Sequence, residues 1–401
     1  MIAAPGHMPI DNQARSPRRY PSSAFRHPPS AFRPPPPRRG LALPAAVFTL
    51  AIIVLFIAGS AFATTQEARA SVSTWSERLA LEAAEYGAAA LLRDWEQGWN
   101  VNVPVGQTRG PFSHALAGGA VSDVRLTRTS YTTWWAVSRG SAGGPDQRRW
   151  AQRTVNAVFR LDMPPDAMDA ALGVADSAHV TGTGMVIGTD SVEAIASCGA
   201  SAALTAGVAA PDTTRVCTGS CGSPGGGIVG LPALQLDSTI AVRIAALVTT
   251  FVPDIVMLTD TIVTPAPVIS AGVCDTLAPG NWGDPAGGAC ATHLPVIRAA
   301  GNLTLRGGRG HGTIIAAGDV VFEQGATFAG LVIAGDDFVT GPGGGAVLGA
   351  VLAGDGRRGP QDHSVVTDGG LVRRSTCRVR LARLAAASPM RMRDRWWAEF
   401  D

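Results

Sequence analysis

Two sets of residues in this 401-residue chain have types and spacing that could do chemistry. One is a series of aspartates beside glycines in the last third of the sequence: Asp319, Asp336, Asp337 and Asp355. Converging carboxylates serve as acid and base in glycan cleavage, or they bind Ca²⁺. Turns require the same residues, because an Asp side chain hydrogen-bonds to its own backbone. With no partner base or basic cleft beside them, we predict turn residues in a protein that is not an enzyme and has no metal and no cofactor. Catalysis and Ca²⁺ binding stay as the less favoured alternatives.

The other set is six cysteines, at positions 198, 217, 221, 274, 290 and 377. All of them follow the apolar segment 41–63, on the side of the chain that this segment would export. An even number of exported cysteines favours disulfides. Cys217 and Cys221 have the spacing of neither a redox pair nor a zinc knuckle, and zinc is the less favoured alternative. We predict that Cys274 pairs with Cys290, and that Cys198 pairs with Cys217 or Cys221.

An apolar segment at residues 41–63 must position everything that follows it. It carries no charge over 23 residues. As a helix it spans about 34 Å, enough for a hydrocarbon core of about 30 Å. Arg38 and Arg39 precede it and Glu67 follows. The positive-inside rule therefore places residues 1–40 in the cytoplasm and the body in the periplasm or on a filament.

Two fates of this segment remain open. Ala61-Phe62-Ala63 is an A-x-A signal-peptidase site, and cleavage between Ala63 and Thr64 would release the body. The 40-residue leader and the length of the apolar run favour a retained anchor instead. We predict a single-pass protein of a bacterial inner membrane, with membrane lipid as a partner.

The charge distribution agrees with a membrane crossing. Residues 1–40 hold seven Arg and one acid, and residues 371–401 hold eight Arg and three acids, which leaves a net charge of −9 on the segment between them. The Pro- and Arg-rich head is predicted to be a disordered cytoplasmic leader. All 33 basic residues are arginine, which is typical of GC-rich genomes, and we predict no nucleic-acid partner.

A helix and a small sheet are predicted after the anchor. Over residues 66–97, apolar residues recur at helical spacing and would form one face of a helix. This helix is expected to end near Gly98 and Asn100. That face consists of Leu81, Ala84, Ala88, Leu91, Leu92 and Trp95. Residues 121–129, 132–138 and 153–161 have the composition of three antiparallel strands. Trp134 and Trp135 could bind a sugar or peptide, but paired aromatics on a strand more often divide between core and surface.

The order of these segments resembles a known family. Arg38-Arg39-Gly40, the apolar run, and LALEAAEYGAAALL at residues 79–92 are similar to the N-terminus of PilX-type minor pilins and related pseudopilins of type IV pilus and type II secretion systems. The resemblance implies cleavage between Gly40 and Leu41 by a prepilin peptidase. It also implies other pilins or pilus-assembly proteins as partners. Many pilins have Glu at the fifth position after the cut, where this chain has Ala45.

An internal repeat occupies residues 302–355. Three segments, 302–318, 319–336 and 337–355, each begin with Asn or Asp and turn at glycine. Each closes on a glycine followed by apolar residues, namely Gly312, Gly330 and Gly349. A period near 20 residues with two short strands per unit predicts a β-solenoid, in which Asp319 and Asp337 are turn residues.

The repeat makes further predictions about side chains. Ile314, Val332 and Val351 should form one interior ladder, and Val320 and Phe338 another. Residues 180–191 resemble an outlying unit of the same type, and His311 is expected in an exposed turn. The solenoid with its neighbouring tract 281–297 is similar to the C-terminal solenoid of exported PilX-like proteins.

The C-terminal segment is predicted to be a capping helix. Ser375 can N-cap a helix with Cys377, Leu381 and Leu384 on one face. Such a helix would cover the open end of the solenoid, and contact with an anionic membrane is the alternative.

The predicted fold class is therefore α+β: a transmembrane and amphipathic helix, a small antiparallel pilin-like sheet, a β-solenoid and a capping helix. The expected boundaries are 1–40, 41–63, 64–165, 166–370 and 371–401. The expected function is that of a PilX-like minor pilin or pilus-assembly component. The alternative is an exported β-solenoid adhesin or carbohydrate-active protein, released after Ala63.

Overall fold

A computed structural model describes residues 42–143, 150–164, 169–190, 204–218, 226–250, 256–258, 261–354, 363–392 and 399–400. The chain divides into two compact units, Met1–Glu67 and Ala68–Asp401. All described residues of the first unit are helical, and the second unit is mixed α+β. The predicted cytoplasmic head and the Gly40–Leu41 bond lie outside the described residues.

The α-helices within the described part of the chain are α1 Ala42–Arg93, α2 Gly98–Asn102, α3 Ile240–Thr250 and α4 Thr376–Ala385. The strands of the first half are β1 Thr108–Ala115, β2 Val121–Arg128, β3 Thr133–Gly143, β4 Trp150–Asp162, β5 Ala170–Val174, β6 Ala178–Val180, β7 Met185–Ile187, β8 Ala206–Ala210, β9 Val216–Thr218, β10 Gly227–Val229, β11 Leu234–Leu236, β12 Val256–Leu258 and β13 Thr261–Val263. Those of the second half are β14 Ile269–Ser270, β15 Val273–Cys274, β16 Val296–Ala299, β17 Leu303–Arg306, β18 Arg309–Ala316, β19 Val320–Glu323, β20 Ala326–Ala334, β21 Phe338–Thr340, β22 Gly345–Ala353, β23 Ser364–Val366, β24 Leu371–Arg374, β25 Ser388–Arg391 and β26 Glu399–Phe400.

The long helix ends earlier than its apolar pattern predicts. α1 stops at Arg93, and Gly98 begins the separate short helix α2 instead of ending the first one. The chain turns between the two helices because Trp95 and Trp99 pack edge to face, with ring centroids 5.4 Å apart. Trp99 and Asn100 are thereby buried, so Asn100 lies inside a helix that the sequence did not predict.

An antiparallel sheet packs against the part of α1 in the second unit. Its order is β1-β2-β3-β4-β25, with β26 also paired to β4. The three predicted strands are confirmed as β2, β3 and β4. Strands β1 and β25 were not predicted, because Gly110-Pro111 and Pro389 interrupt their β-pattern. Both are edge or outer strands held by pairing with a neighbour.

Two parallel sheets form most of the rest of the described second unit, beside a separate antiparallel pair of β14 and β15, and the chain crosses between the two sheets repeatedly. One has the order β12-β16-β18-β20-β22-β24-β7-β10, with β5, β8 and β11 attached at β22; the other has the order β13-β17-β19-β21-β23-β6-β9. Successive repeats pair in register, Gly312 with Gly330 and Gly330 with Gly349. We call these two sheets the parallel stack.

The interior of the parallel stack matches the predicted ladders. Ile314 pairs with Val332 and Val332 with Val351, while Val320 pairs with Phe338 on the other sheet. All five side chains are fully buried in one hydrophobic core. Strand β7 lies within the predicted outlying unit and β6 ends at its first residue, Val180; the two strands join the same two sheets, next to β24 and β23.

The outer face of the larger parallel sheet is also buried, and this corrects the predicted cap. Helices α3 and α4 pack against this face, with α4 on β18, β20 and β22 near its middle and not over an open end. The reason is that the runs Gly312-Thr-Ile-Ile and Gly330-Leu-Val-Ile place apolar side chains on both faces of each strand. The predicted N-cap is confirmed, since the Ser375 hydroxyl accepts a hydrogen bond from the Arg378 N–H.

Candidate functional site

The first candidate site is the apolar beginning of α1. Every side chain described from position 43 to position 75 is exposed, including Leu50 at 63% and Phe56 at 76%. By length and composition this helix can cross a membrane. Its hydroxyls bond within the helix, as with Thr49 Oγ1 to the Ala45 carbonyl at 2.7 Å. A hydroxyl satisfied in this way does not oppose transfer into hydrocarbon.

The alternative cleavage point lies within the same helix. Ala63 and Thr64 have helical backbone, and Thr64 Oγ1 donates to the carbonyls of Ser60 and Ala61 at 3.0 and 3.1 Å. The other point, Gly40–Leu41, lies outside the described residues. The two cleavage predictions therefore stay predictions.

The second candidate site is the contact between α1 and the antiparallel sheet, which is made by small residues. Ala80, Ala84 and Gly87 of the helix are buried there. A Cβ built on Gly140 of β3 would lie 1.9 Å from the Ala80 carbonyl oxygen and 2.5 Å from the Ala84 nitrogen. Helix backbone and strand backbone therefore touch directly, and a side chain at position 140 cannot fit between them.

Aromatic residues complete this contact beyond the small residues. The Trp134 and Trp95 ring centroids lie 5.3 Å apart, edge to face. Trp134 is fully buried and Trp135 is 46% exposed, so the expected division between core and surface is confirmed. Trp134 belongs to the core and is not available to a sugar.

Asn100 joins the antiparallel sheet region to the C-terminal helix, a role that sequence reasoning missed. Its Nδ2 donates to the Leu384 carbonyl at 3.0 Å and to the Ala387 carbonyl at 2.9 Å. Its Oδ1 accepts from Trp95 Nε1 at 2.9 Å. The Leu384 carbonyl also accepts from the Ala387 N–H at 3.2 Å, so Asn100 bonds to the backbone of the turn that ends α4.

The third candidate site is the predicted aspartate series. The Asp319 N–H donates to Asn302 Oδ1 at 2.9 Å, and the Asp337 N–H donates to Asp319 Oδ1 at 3.0 Å. The His363 N–H continues the series by donating to Asp337 Oδ2 at 3.1 Å. Each side chain thus accepts from the backbone of the next repeat, which is a structural role of the kind that turns require.

The same arrangement brings three carboxylates together. Oxygens of Asp319, Asp336 and Asp337 lie within 4.8 Å of one another, and all three residues are half-buried. Burial, followed by the charges of Asp336 and Asp319, raises the pKa of Asp337 to about 7. Such oxygens are the ligands that Ca²⁺ prefers, so these residues could hold that cation. Asp355 lies outside the described residues.

The raised pKa makes a prediction about stability. The unfolded chain releases the Asp337 proton near pH 4, whereas the folded protein keeps it to about pH 7. Stability should therefore fall as pH rises through this interval and stay level above it. In Ca²⁺-free buffer, Asp337→Asn should raise the free energy of unfolding at pH 8 by about 1–2 kcal/mol after solvent screening, and leave it unchanged at pH 4.

Urea unfolding of the full chain in detergent at both pH values checks this. Asp368→Asn, at an exposed turn position, is the control and should change neither value. An equal effect of Asp337→Asn at pH 4 and pH 8 would contradict the proposed ionisation.

The structure also places the cysteines. Cys274 and Cys290 form a disulfide with a Cα–Cα distance of 4.9 Å. Asn281 lies buried beneath it, accepting from the Val268 N–H at 3.1 Å and donating to the Asp275 carbonyl at 2.7 Å. Cys217 and Cys377 are also disulfide-bonded, in agreement with the expectation that the exported cysteines pair, although the sequence analysis named no partner for Cys377. Cys198 and Cys221 lie outside the described residues.

The prediction that His311 lies in an exposed turn is wrong. This residue is 1% exposed and lies within β18. Its Nε2 lies 2.6 Å from the His293 carbonyl oxygen, which can only accept, so Nε2 carries the proton. Burial lowers the pKa of His311 to about 4, and the ring is neutral at physiological pH. The two flanking glycines suggested a turn, whereas pairing with Ala329 makes position 311 part of a strand.

Comparison with known proteins yields little. No protein family matches the sequence, and no curated protein matches it. Among solved structures, the chain is similar to the competence-associated pilin ComZ from Thermus thermophilus, with 10% sequence identity, a TM-score of 0.23, and coverage of 81% of this chain and 97% of that one. A TM-score of 0.23 is too low to assign a fold or function by similarity.

Proposed function

We propose that this chain is a non-enzymatic, membrane-anchored protein of the bacterial cell envelope, a PilX-like minor pilin or pilus-assembly component. The observation that carries the proposal is α1. One continuous helix begins with an exposed apolar segment long enough to cross a membrane, and its later residues pack through alanines and glycine on an antiparallel sheet. A cleaved signal sequence does not need the second half of that helix.

The parallel stack is proposed to be a β-solenoid that presents a rigid surface outside the membrane. In-register glycines, interior ladders and alternation of the chain between two parallel sheets support this. Its partners would be other pilins or pilus-assembly proteins, with lipid around the apolar helix. No nucleic-acid partner is proposed.

N-terminal sequencing of the mature protein, combined with membrane fractionation of a bacterium with a prepilin peptidase, tests the proposal. We expect the chain to begin at Leu41, to sediment with membranes and to resist alkaline carbonate. An uncut N-terminus on a chain that still sediments with membranes would contradict pilin processing but agree with a membrane anchor. A soluble chain beginning at Thr64 would contradict both.

A charged substitution in the anchor tests it independently of processing. Ile53→Arg should lower the membrane-retained fraction several-fold, because arginine at the centre of a spanning helix costs about 3 kcal/mol of insertion free energy. Thr65→Arg, near the end of the apolar segment, is the control and should leave retention unchanged. Equal retention of both variants would contradict a membrane-spanning role.

The alternative function, an exported solenoid that acts on carbohydrate, is favoured by the cluster of Asp319, Asp336 and Asp337 alone. Glycan cleavage by the purified protein that is lost in both Asp319→Asn and Asp337→Asn would establish the alternative. We expect no cleavage, because these carboxylates accept hydrogen bonds from the backbone of neighbouring repeats.

A further inference from the structure

A cavity of about 400 Å³ lies within the second unit, between α2, the turn that follows β2, and α4. Its walls are mostly aliphatic, and Tyr131 at 42% exposure and Val105 at 48% lie where it opens to solvent. The lining includes Val103, Val105, Arg128, Tyr131, Arg380 and Leu384. No Asp or Glu belongs to the lining of this cavity in the part of the chain that the structure describes.

Arg128 brings a buried positive charge to this cavity. It is 3% exposed, and its guanidinium donates to three backbone carbonyls: Nη1 to Val103 at 2.6 Å, Nη2 to Tyr131 at 2.7 Å and Nε to Ser130 at 3.2 Å. These acceptors are neutral, so they satisfy hydrogen bonds without compensating the charge. Buried charges are ordinarily paired with an opposite charge, because burial of an isolated ion is costly.

Arg380 brings a second positive charge from α4. Its guanidinium carbon lies 3.7 Å from the centroid of the Tyr131 ring, and that of Arg128 lies 5.9 Å from the same centroid. Among the described residues, Arg380 makes no hydrogen bond and no ion pair. Burial lowers the pKa of Arg128, and the charge of Arg380 lowers it further. The Arg128 guanidinium also lies 5.2 Å from the Trp134 ring centroid. The two guanidinium groups thus flank the Tyr131 ring at one cavity, and no Asp or Glu among the described residues pairs with either of them.

We propose that this cavity binds a carboxylate carried on a short aliphatic group, either as a free acid or at the end of a peptide. The two guanidinium groups supply the planar donors that suit a carboxylate, and the Tyr131 ring fixes the Arg380 side chain in place. The aliphatic walls bury the apolar part of the ligand. A cavity of this size holds a ligand of about a dozen non-hydrogen atoms, taking about 30 Å³ for each water-sized group.

The site does not depend on the proposed function, since all its residues lie in the second unit and none belongs to the anchor. Its physical basis is charge compensation. An incoming carboxylate supplies the negative charge that the described lining of the cavity lacks. The surroundings strengthen the attraction because water is partly excluded.

The test is calorimetric titration of hexanoate into the full chain in nanodiscs of the neutral lipid phosphatidylcholine. We expect saturable binding, and at least about 10-fold weaker binding in Arg380→Gln, because a charge-assisted pair is lost. Arg373→Gln removes an exposed arginine outside the cavity and should leave binding unchanged. Arg380→Lys keeps the charge without the planar fork and should fall between. Arg380 is chosen over Arg128 because Arg128 also holds three carbonyls of the fold.

Two further ligands separate the sources of the carboxylate. Hexanamide has the same shape without the charge and should not bind. N-acetyl-Val-Leu carries the carboxylate of a peptide end; tighter binding than hexanoate would assign the site to peptide ends, and weaker binding would assign it to free acids. Binding of hexanamide equal to that of hexanoate, the absence of heat with both acids, or unchanged affinity in Arg380→Gln would overturn the proposal.

A chemical readout places the ligand at the site. Phenylglyoxal modification of Arg380, followed by mass spectrometry of the peptide that contains it, should slow several-fold when hexanoate is present. Modification of Arg373 in the same sample should not change. Equal rates at Arg380 with and without hexanoate would place any bound acid elsewhere.

Discussion

Gly330→Ala is expected to destabilise the second unit by about 4 kcal/mol, which is enough to leave much of the protein unfolded at 37 °C. Gly330 lies in the middle of β20, where it pairs with Gly312 on one side and Gly349 on the other. Its φ is +147°, a conformation that residues with a Cβ rarely adopt. A Cβ there would lie 1.9 Å from the Gly312 carbonyl oxygen.

Small movements of neighbouring side chains cannot relieve this clash. The contact is with backbone and not with the end of a flexible side chain, so a whole strand would have to move. Moving β18 would separate Ile314 from Val332, and with it the interior ladder that both strands share. The cost of the substitution therefore combines backbone strain with loss of packed core.

Gly325→Ala is the matched control for Gly330→Ala. Gly325 lies in the turn before β20, has φ of +73°, and has no atom within 4 Å of its Cβ position. Gly325→Ala should lower the free energy of unfolding only by the strain of the left-handed conformation, about 1 kcal/mol. Urea unfolding of the full chain in detergent, followed by tryptophan fluorescence, measures both. Equal costs would show that close approach between repeats contributes nothing at Gly330.

Sequence alone predicted those features that repeat locally. The spacing of Gly312, Gly330 and Gly349 predicted which side chains would pair, because one repeat pairs with the next along the chain. The prediction of β2 to β4 succeeded for a similar reason, since each strand pairs with its neighbour in sequence. Periodicity is a reliable guide where structure is built from consecutive segments.

Contacts between distant segments could not be predicted in this way. Asn100 bonds to carbonyls more than 280 residues away, and nothing in its local sequence distinguishes it from a turn residue. Helix α3 begins at Ile240 in a run of β-branched and alanine residues that carries no clear helical signal, and it forms over the apolar outer face of the larger parallel sheet. Tertiary burial decides both cases, as it does for His311.

The candidate sites also differ in whether the local sequence could predict them. The apolar segment and the aspartate series were visible as patterns, and the structure adds that Asp319, Asp336 and Asp337 have oxygens within 4.8 Å of one another. The pair Arg128 and Arg380 was not visible, because each arginine has an ordinary local sequence in a chain with 33 of them. Only the fold brings the two around Tyr131.

The contact between α1 and the antiparallel sheet supports the second large prediction. Gly140→Ala should lower the free energy of unfolding by about 3–5 kcal/mol, because the new Cβ would overlap the Ala80 carbonyl and the Ala84 nitrogen. The helix must move off the sheet to admit it. This movement would open the small-residue core that Ala83 and Ala142 share.

Gly143→Ala is a control in the same strand. Position 143 has no atom within 4 Å of a built Cβ, so alanine there should change stability by less than about 0.5 kcal/mol. Gly87→Ala, on the facing helix, should cost less than Gly140→Ala. Its Cβ would meet the hydroxyls of Ser122 and Ser138 at 2.7 Å, which can rotate, and the Ser122 Cβ at 2.9 Å, a longer contact than the 1.9 Å to backbone at Gly140. Urea unfolding that ranked Gly140→Ala level with Gly143→Ala would contradict the direct backbone contact. It would also remove the support that this contact gives to a pilin-like role, because the proposal requires a spanning helix that is fixed to the sheet by its second half.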